Sequence, residues 1–224
     1  MYRIMLKPRR TPRPRTIRRR RIGLLGGSFN PAHAGHRHIS IVALHRLGLD
    51  EVWWLVSPRN PLKASAGMAP LPIRLEQAAE VAAHPRIRVT DIERRLRTRY
   101  TADTLPALIR RYPDCAFVWL MGADNLLQFP AWRRWQSIMG TAPVAVFPRA
   151  PYSLRALAGR AATRFAKWRV REEAAASIAL KPAPCWIFLQ SQLHPASATA
   201  IRAALASDGH TDWYEAGRAA PPTS

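Results

Sequence analysis

Acidic residues are scarce: 14 Asp and Glu stand against 35 Lys and Arg in 224 residues, a formal net charge of +21. Cysteine is scarcer still. Cys115 and Cys185 both lie inside apolar runs, which excludes a disulfide scaffold and suits a reducing compartment. They lack CxxC spacing, and no carboxylate cluster stands out, so no metal is expected on protein side chains. Long apolar runs are missing too. The longest charge-free stretch, Pro182 to Ile201, holds three prolines with Gln, Ser, His and Thr, whose polar groups would go unpaired in lipid. No signal-peptide core follows the basic N-terminal residues, so a cytoplasmic protein is expected. What is abundant is apolar surface. A hydrophobic content of 48% with eight Trp excludes wholesale disorder and supports one domain with a full core.

The charge is uneven. Residues 1–21 carry ten cations, no acid and no serine, with Pro8, Pro12 and Pro14 interrupting any helix or strand. A solvated disordered extension is the favoured reading, with a weak polyanion-binding arm and a targeting sequence as alternatives. The domain is then expected over 22–218, with a flexible tail over 219–224.

From Ile22 onward, short β-like runs alternate with helical ones. Strands are predicted over Ile22–Leu25, Glu51–Ser57, Arg86–Thr90, Cys115–Met121, Pro143–Phe147 and Trp186–Leu189. Helices are predicted over Ala34–Leu47, Ile73–Ala83, Thr101–Arg111 (Thr101 as N-cap), Arg155–Lys167, Glu172–Leu180 and Ala198–Ala206. This alternation implies an α/β fold: a Rossmann-like, doubly wound parallel sheet with helices on both faces. Ligands then belong beyond the carboxyl ends of the strands, at the turns leaving Leu25, Ser57, Met121 and Leu189.

The first of those turns reads G26-G-S-F-N-P-A-H-A-G-H36. Gly26 and Gly27 permit close backbone approach to a ligand. His33 and His36, three apart at a helix start, can present both rings on one side, beside backbone amides that favour phosphate. Neither a Walker loop nor a GxGxxG fingerprint is present.

GGSFNPAHAGH closely resembles the GGxFDPxHxGH signature of the HxGH nucleotidylyltransferase superfamily, and S197-A-T-A-I-R202 resembles its C-terminal [ST]-x-T-x-[IL]-R motif. Four further segments, V56-S-P-R-N-P-L-K63, R99-Y-T-A-D-T-L105, F117 to W132 and V144 to Y152, are similar to those of bacterial nicotinate-nucleotide adenylyltransferases. The resemblance implies AMP transfer from ATP to nicotinate mononucleotide, with Mg²⁺ accompanying ATP and release of pyrophosphate. It makes His33, His36 and Arg202 catalytic, and assigns Gly26, Gly27, Ser28, Phe29, Lys63, Asp124, Arg149, Ser197 and Thr199 to ATP and its phosphates. Asn60, Tyr100, Thr101 and Trp132 would hold the mononucleotide: Trp132 by stacking on the pyridine, and the amides near Tyr100 and Thr101 by receiving its carboxylate. A homo-oligomer is compatible with the family.

The chain departs from the pattern at Asn30 (usually Asp), Arg99 (often Ser), Pro148 and Ala150. The alternatives within the same chemistry are nicotinamide mononucleotide or pantetheine-phosphate as acceptor. From another class, a basic nucleic-acid-binding protein on the same fold remains.

Overall fold

The computed structural model describes residues 18–58, 68–192 and 196–207. Residues 1–17, Asn60, Lys63 and the tail over 219–224 therefore lie outside the described residues. Six parallel strands form one sheet in the order β3-β2-β1-β4-β5-β6. They are β1 (Arg20–Gly27), β2 (Glu51–Val56), β3 (Ile87–Thr90), β4 (Cys115–Gly122), β5 (Val144–Phe147) and β6 (Trp186–Phe188). The chain winds outward from β1 to β3, returns to β4 beside β1, and winds out the other way. The carboxyl ends of β1 and β4 thus flank the switch point, where an open α/β sheet leaves a crevice.

The inner strands β2, β4 and β5 are buried on both faces, so they read as apolar runs. In β4, Phe117, Trp119 and Met121 enter one core with Leu24, Trp53 and Val146. Val118 and Leu120 enter the other with Leu25, Trp54 and Phe147. The first core lies under α3 (Ile92–Arg95), α4 (Thr101–Arg111), α5 (Ala123–Gln128), α6 (Trp135–Thr141), α7 (Ser153–Leu157) and α8 (Arg160–Arg164). The second lies under α1 (Ala34–Arg46) and α2 (Leu71–Ala82). No helix among the described residues is long and apolar enough to cross a membrane.

Several elements differ from the sequence expectation. β1 takes in Arg20 and Arg21, which were placed in the disordered extension. The carboxylates at the start of β2 account for this: Asp50 pairs with Arg18 and accepts the Arg21 amide at 2.7 Å, while Glu51 pairs with Arg20 and, at 3.0 Å, with Arg88. Thr101 does not cap α4. Tyr100 is the extended residue before it, with no side-chain cap, and Thr101 is already helical. The run Arg155–Lys167 breaks into α7, α8 and a short 3₁₀ turn because Gly159 is extended between them. Glu172–Leu180 is a 3₁₀ segment, not an α-helix. The terminal helix, α9, runs over Ala198–Ser207.

Gly26 has a packing reason beside the expected one. A Cβ there would lie 2.5 Å from Cη2 of Trp119, so the glycine makes room for an indole in the core. Gly26→Ala should therefore lower stability by about 1–3 kcal/mol, the usual cost of overpacking. In a Trp119→Leu background the same change should cost little, a coupling that a thermal-denaturation double-mutant cycle measures.

Candidate active site

The loop after β1 turns directly into α1, and His33 sits at the junction. Its extended backbone makes it the N-cap, and its Nδ1 accepts the Gly35 amide at 3.1 Å. His36 answers from the third helical position: its Nδ1 accepts the His33 amide at 3.2 Å. The result is a capping box made of two imidazoles, with ring centroids 3.9 Å apart. The chemical consequence is a tautomer. A neutral ring that accepts at Nδ1 carries its proton on Nε2, so each histidine presents an Nε2–H donor. The Gly35 and His33 amides are spent on the rings, and the His36 amide on the His33 carbonyl at 2.9 Å. The amides expected from sequence to be free at this helix start are thus occupied, and the imidazole Nε2–H groups are the donors the box holds.

The surroundings hold both rings. His36 packs against Phe29 at 4.7 Å, and Phe29 stacks on Trp54 at 5.0 Å. Phe29 is buried with φ +47°, so its ring serves the core while its strained backbone shapes the turn. A Cβ on Gly35 would lie 2.9 Å from the His33 ring and 3.2 Å from the Ala196 carbonyl oxygen. Only glycine lets the residues before α9 come this close to the histidine box.

The two sequence motifs meet here. The Arg202 guanidinium, from the second turn of α9, donates to the Asn30 carbonyl and approaches Thr199 Oγ1 at 3.5 Å. Ser197 caps α9, its Oγ accepting the Ala200 amide at 3.1 Å and keeping its own O–H to donate. Asn30, in the usual Asp position, accepts the Ala69 amide at 2.9 Å.

Across the switch point, Asp124 lies in the first turn of α5 and Arg149 in the loop after β5, 3.5 Å apart. Asp124 Oδ1 is buried with no hydrogen-bond partner, an acceptor left for something else. Further along, Trp132 is half-buried, with edge contacts to Phe129 at 5.2 Å and Trp119 at 6.3 Å that set the plane of its ring. Asp103 of α4 pairs with Arg134 and Arg133, which ties the start of α4 to the Trp132 loop. Arg133 also lies 4.7 Å over the Tyr100 ring. The structure thus brings the start of α9, with Thr199 and Arg202, to the turn that holds His33 and His36, and separately ties Tyr100 and the first turn of α4 to the loop that carries Trp132. Among the described residues no group of three or more His, Cys, Asp and Glu could hold a metal ion.

Two buried charged residues behind the site were not anticipated. Arg74 of α2, 1% exposed, donates to the carbonyls of Ala69 (2.8 Å), Ser28 (2.6 Å), Ser57 (2.8 Å) and Pro58 (3.2 Å). Among the described residues no carboxylate pairs with it. Glu93 of α3, 6% exposed, accepts from the Thr104 hydroxyl at 3.2 Å and is hydrogen-bonded by the Ser57 side chain. Burial pushes its carboxyl up from 4.5 to about 7, against both hydrogen bonds, which pull it down. The available signal was the mismatch between an Arg on an apolar helix face and an acid inside an arginine-rich stretch, too weak to read unaided.

Comparison with known proteins adds the following. The Cytidylyltransferase-like family model matches residues 24–204. A protein of Parvibaculum lavamentivorans named "Probable nicotinate-nucleotide adenylyltransferase" is 53% identical over 182 residues, 81% of this chain and 90% of the relative. One of the same name from Cereibacter sphaeroides is 56% identical over 81% of this chain and 96% of its own. Among solved structures, Plasmodium falciparum nicotinic acid mononucleotide adenylyltransferase complexed with NaAD superposes with a TM-score of 0.60 at 16% identity, covering 83% of this chain and 84% of that one. At that identity the likeness is one of fold.

Glu93 makes stability depend on pH. Its folded value is raised, so its contribution is full below about 4.5 and is lost as pH rises through about 7. Glu93→Gln, neutral throughout, should gain on the wild type by up to ~3 kcal/mol across that window. Melting temperatures of the two proteins, measured at pH steps spanning it, check this.

Proposed function

The chain belongs to the cytidylyltransferase-like family and, within it, to the nicotinate-nucleotide adenylyltransferases; from this premise we propose that it transfers AMP from ATP to nicotinate mononucleotide in the cytoplasm. The observation that carries the reading is the convergence of the histidine box and Arg202 on one turn at the switch point. That arrangement is a cationic, donor-rich cradle without a nucleophile. Transfer of an adenylyl group from one phosphate to another suits it, because the acceptor phosphate is already an anionic nucleophile at neutral pH.

A mononucleotide phosphate oxygen attacks the α-phosphorus of ATP in line. The new P–O bond forms as the bond to the β-phosphate oxygen breaks, and pyrophosphate leaves with its electron pair. The His33 and His36 Nε2–H groups donate to the oxygens that gain charge, while Arg202, Ser197 and Thr199 hold the departing end. Mg²⁺ arrives on the triphosphate as part of the substrate. Ser28 and the Phe29 backbone face the phosphates, and the buried Arg74 charge behind them adds positive potential. Asp124 Oδ1 suits a ribose hydroxyl, and Arg149 holds the carboxylate in place. Asn60 and Lys63 keep the roles that the family resemblance gives them. At the other end, Trp132 stacks on the pyridine ring and the first amides of α4, at Tyr100 and Thr101, receive the carboxylate. A weak polyanion contact through the basic segment and self-association are compatible with this chemistry and take no part in it.

Pyrophosphate release with ATP and Mg²⁺ should be strong with nicotinate mononucleotide and weak with nicotinamide mononucleotide or phosphopantetheine. Comparable release with either alternative, or none with the first, overturns the substrate. His36→Asn keeps an acceptor for the His33 amide but removes the Nε2–H. It should leave the melting temperature near wild type while turnover falls about 10²–10³-fold, the size expected for one lost transition-state donor. Trp132→Ala should raise KM for the mononucleotide at least about tenfold, as loss of a stacking contact does, with KM for ATP nearly unchanged. Steady-state kinetics with each substrate varied in turn checks this split.

A further inference from the structure

We propose that Glu93 is a positioning residue that couples the exit of β2 to the start of α4, so that its protonation state sets how α4 presents its first turn to the mononucleotide. This rests on the functional reading above, which places the substrate carboxylate at that helix start.

The coupling can be traced atom by atom. The Ser57 amide donates to the Gly27 carbonyl at 2.9 Å, which binds the end of β2 to the glycine turn. The Ser57 side chain reaches the Glu93 carboxyl, and Oε1 of that carboxyl meets Thr104 Oγ1 at 3.2 Å. Thr104 is the fourth residue of α4 and is itself buried. Its hydroxyl also lies 3.1 Å from the Tyr100 carbonyl and 3.0 Å from Thr98 Oγ1. A hydroxyl has one proton, yet Thr104 has three oxygens within reach. Ionised Glu93 can only accept, so it takes that proton. Neutral Glu93 can donate to Thr104 Oγ1 itself, freeing the Thr104 proton for the Tyr100 carbonyl at the helix cap. Each proton state therefore prescribes a different hydrogen bond at the residue whose neighbouring amides would hold the substrate. The ionised form also adds a buried negative charge near an anion-binding helix start, which opposes the substrate.

The charged groups on the neighbouring elements have other partners. The nearest buried cation, Arg74 of α2, is held by backbone carbonyls, one of them that of Ser57 itself at 2.8 Å. On α3 itself, Arg94 and Arg95 pair with Asp91 at the surface. On α4, Asp103 is held by Arg133 and Arg134. From β2, the groups reaching the carboxyl are the Ser57 side chain and the low-dielectric core, and among the described residues no ion pair is made to Glu93 itself.

The test is steady-state kinetics of the full chain, with nicotinate mononucleotide and ATP varied separately on both sides of about pH 7. Substrate titrations are common to every variant and cancel in ratios to wild type. Wild-type KM for the mononucleotide should rise several-fold as pH passes through about 7, with KM for ATP steady. Glu93→Gln, which keeps the shape and the donor of the neutral acid, should match wild type on the acid side and lose the rise. Glu93→Ala should raise the mononucleotide KM at every pH while kcat changes less. Identical profiles for Glu93→Gln and wild type, or equal losses in both KM values for Glu93→Ala, overturn the proposal.

Amide hydrogen exchange at residues 100–104 in the substrate-free protein separates this from the functional reading. Protection that changes with pH in wild type and not in Glu93→Gln supports the coupling even if wild type fails to use nicotinate mononucleotide. Protection that is the same in both proteins overturns it whatever the substrate.

Discussion

The buried guanidinium of Arg74 gathers backbone carbonyls from the turn after β1 and from both ends of the β2–α2 connection, and the geometry of the histidine turn depends on it. A charge removed from water is costly unless every donor is satisfied. Here the acceptors are carbonyls of Ser28, Ser57, Pro58 and Ala69. The turn after β1, the exit of β2 and the approach to α2 must therefore sit around one side chain, or leave it unpaired. Carbonyl dipoles, and among the described residues no carboxylate, satisfy it.

On that support the site is assembled from two chain segments far apart in sequence. The histidine box orients its own rings by spending Nδ1 on backbone amides, which leaves the proton of each neutral ring on Nε2. Arg202 closes the other side by donating to the Asn30 carbonyl. Every device is a fixed donor or a fixed positive field, and none is a nucleophile or a general base. That inventory fits a reaction in which both partners arrive as phosphates and the obstacle is charge and alignment. Across the sheet a similar tie operates, with α4 and the Trp132 loop joined by Asp103 and its two arginines.

Much of this was legible in the residues, and the parts that were not share a cause. Runs such as Cys115–Met121 betray buried parallel strands because both faces must be apolar, and the turn from Gly26 to His36 announces an anion site through its glycines, histidines and position after a strand. Other features depend on neighbours distant in the chain. Gly26 suggested ligand approach, yet its Cβ space is taken by Trp119 from β4. Thr101 looked like a cap, but Thr104, three residues on, has its hydroxyl directed to Glu93 from α3. Arg20 and Arg21 belonged to a run of cations until Asp50 and Glu51 gave them partners.

The amino-acid order alone determined the alternation of strands and helices, the family and the two phosphate motifs, because periodicity, turn chemistry and motif spacing are local properties of the chain. Only the tertiary structure decided the tautomer of the histidines, the burial of Arg74 and Glu93, and the contact between α9 and the first turn. Each of these depends on which groups from remote segments share a small volume shielded from water, and there a single hydrogen-bond partner sets whether a side chain is an acid, a donor or a tie.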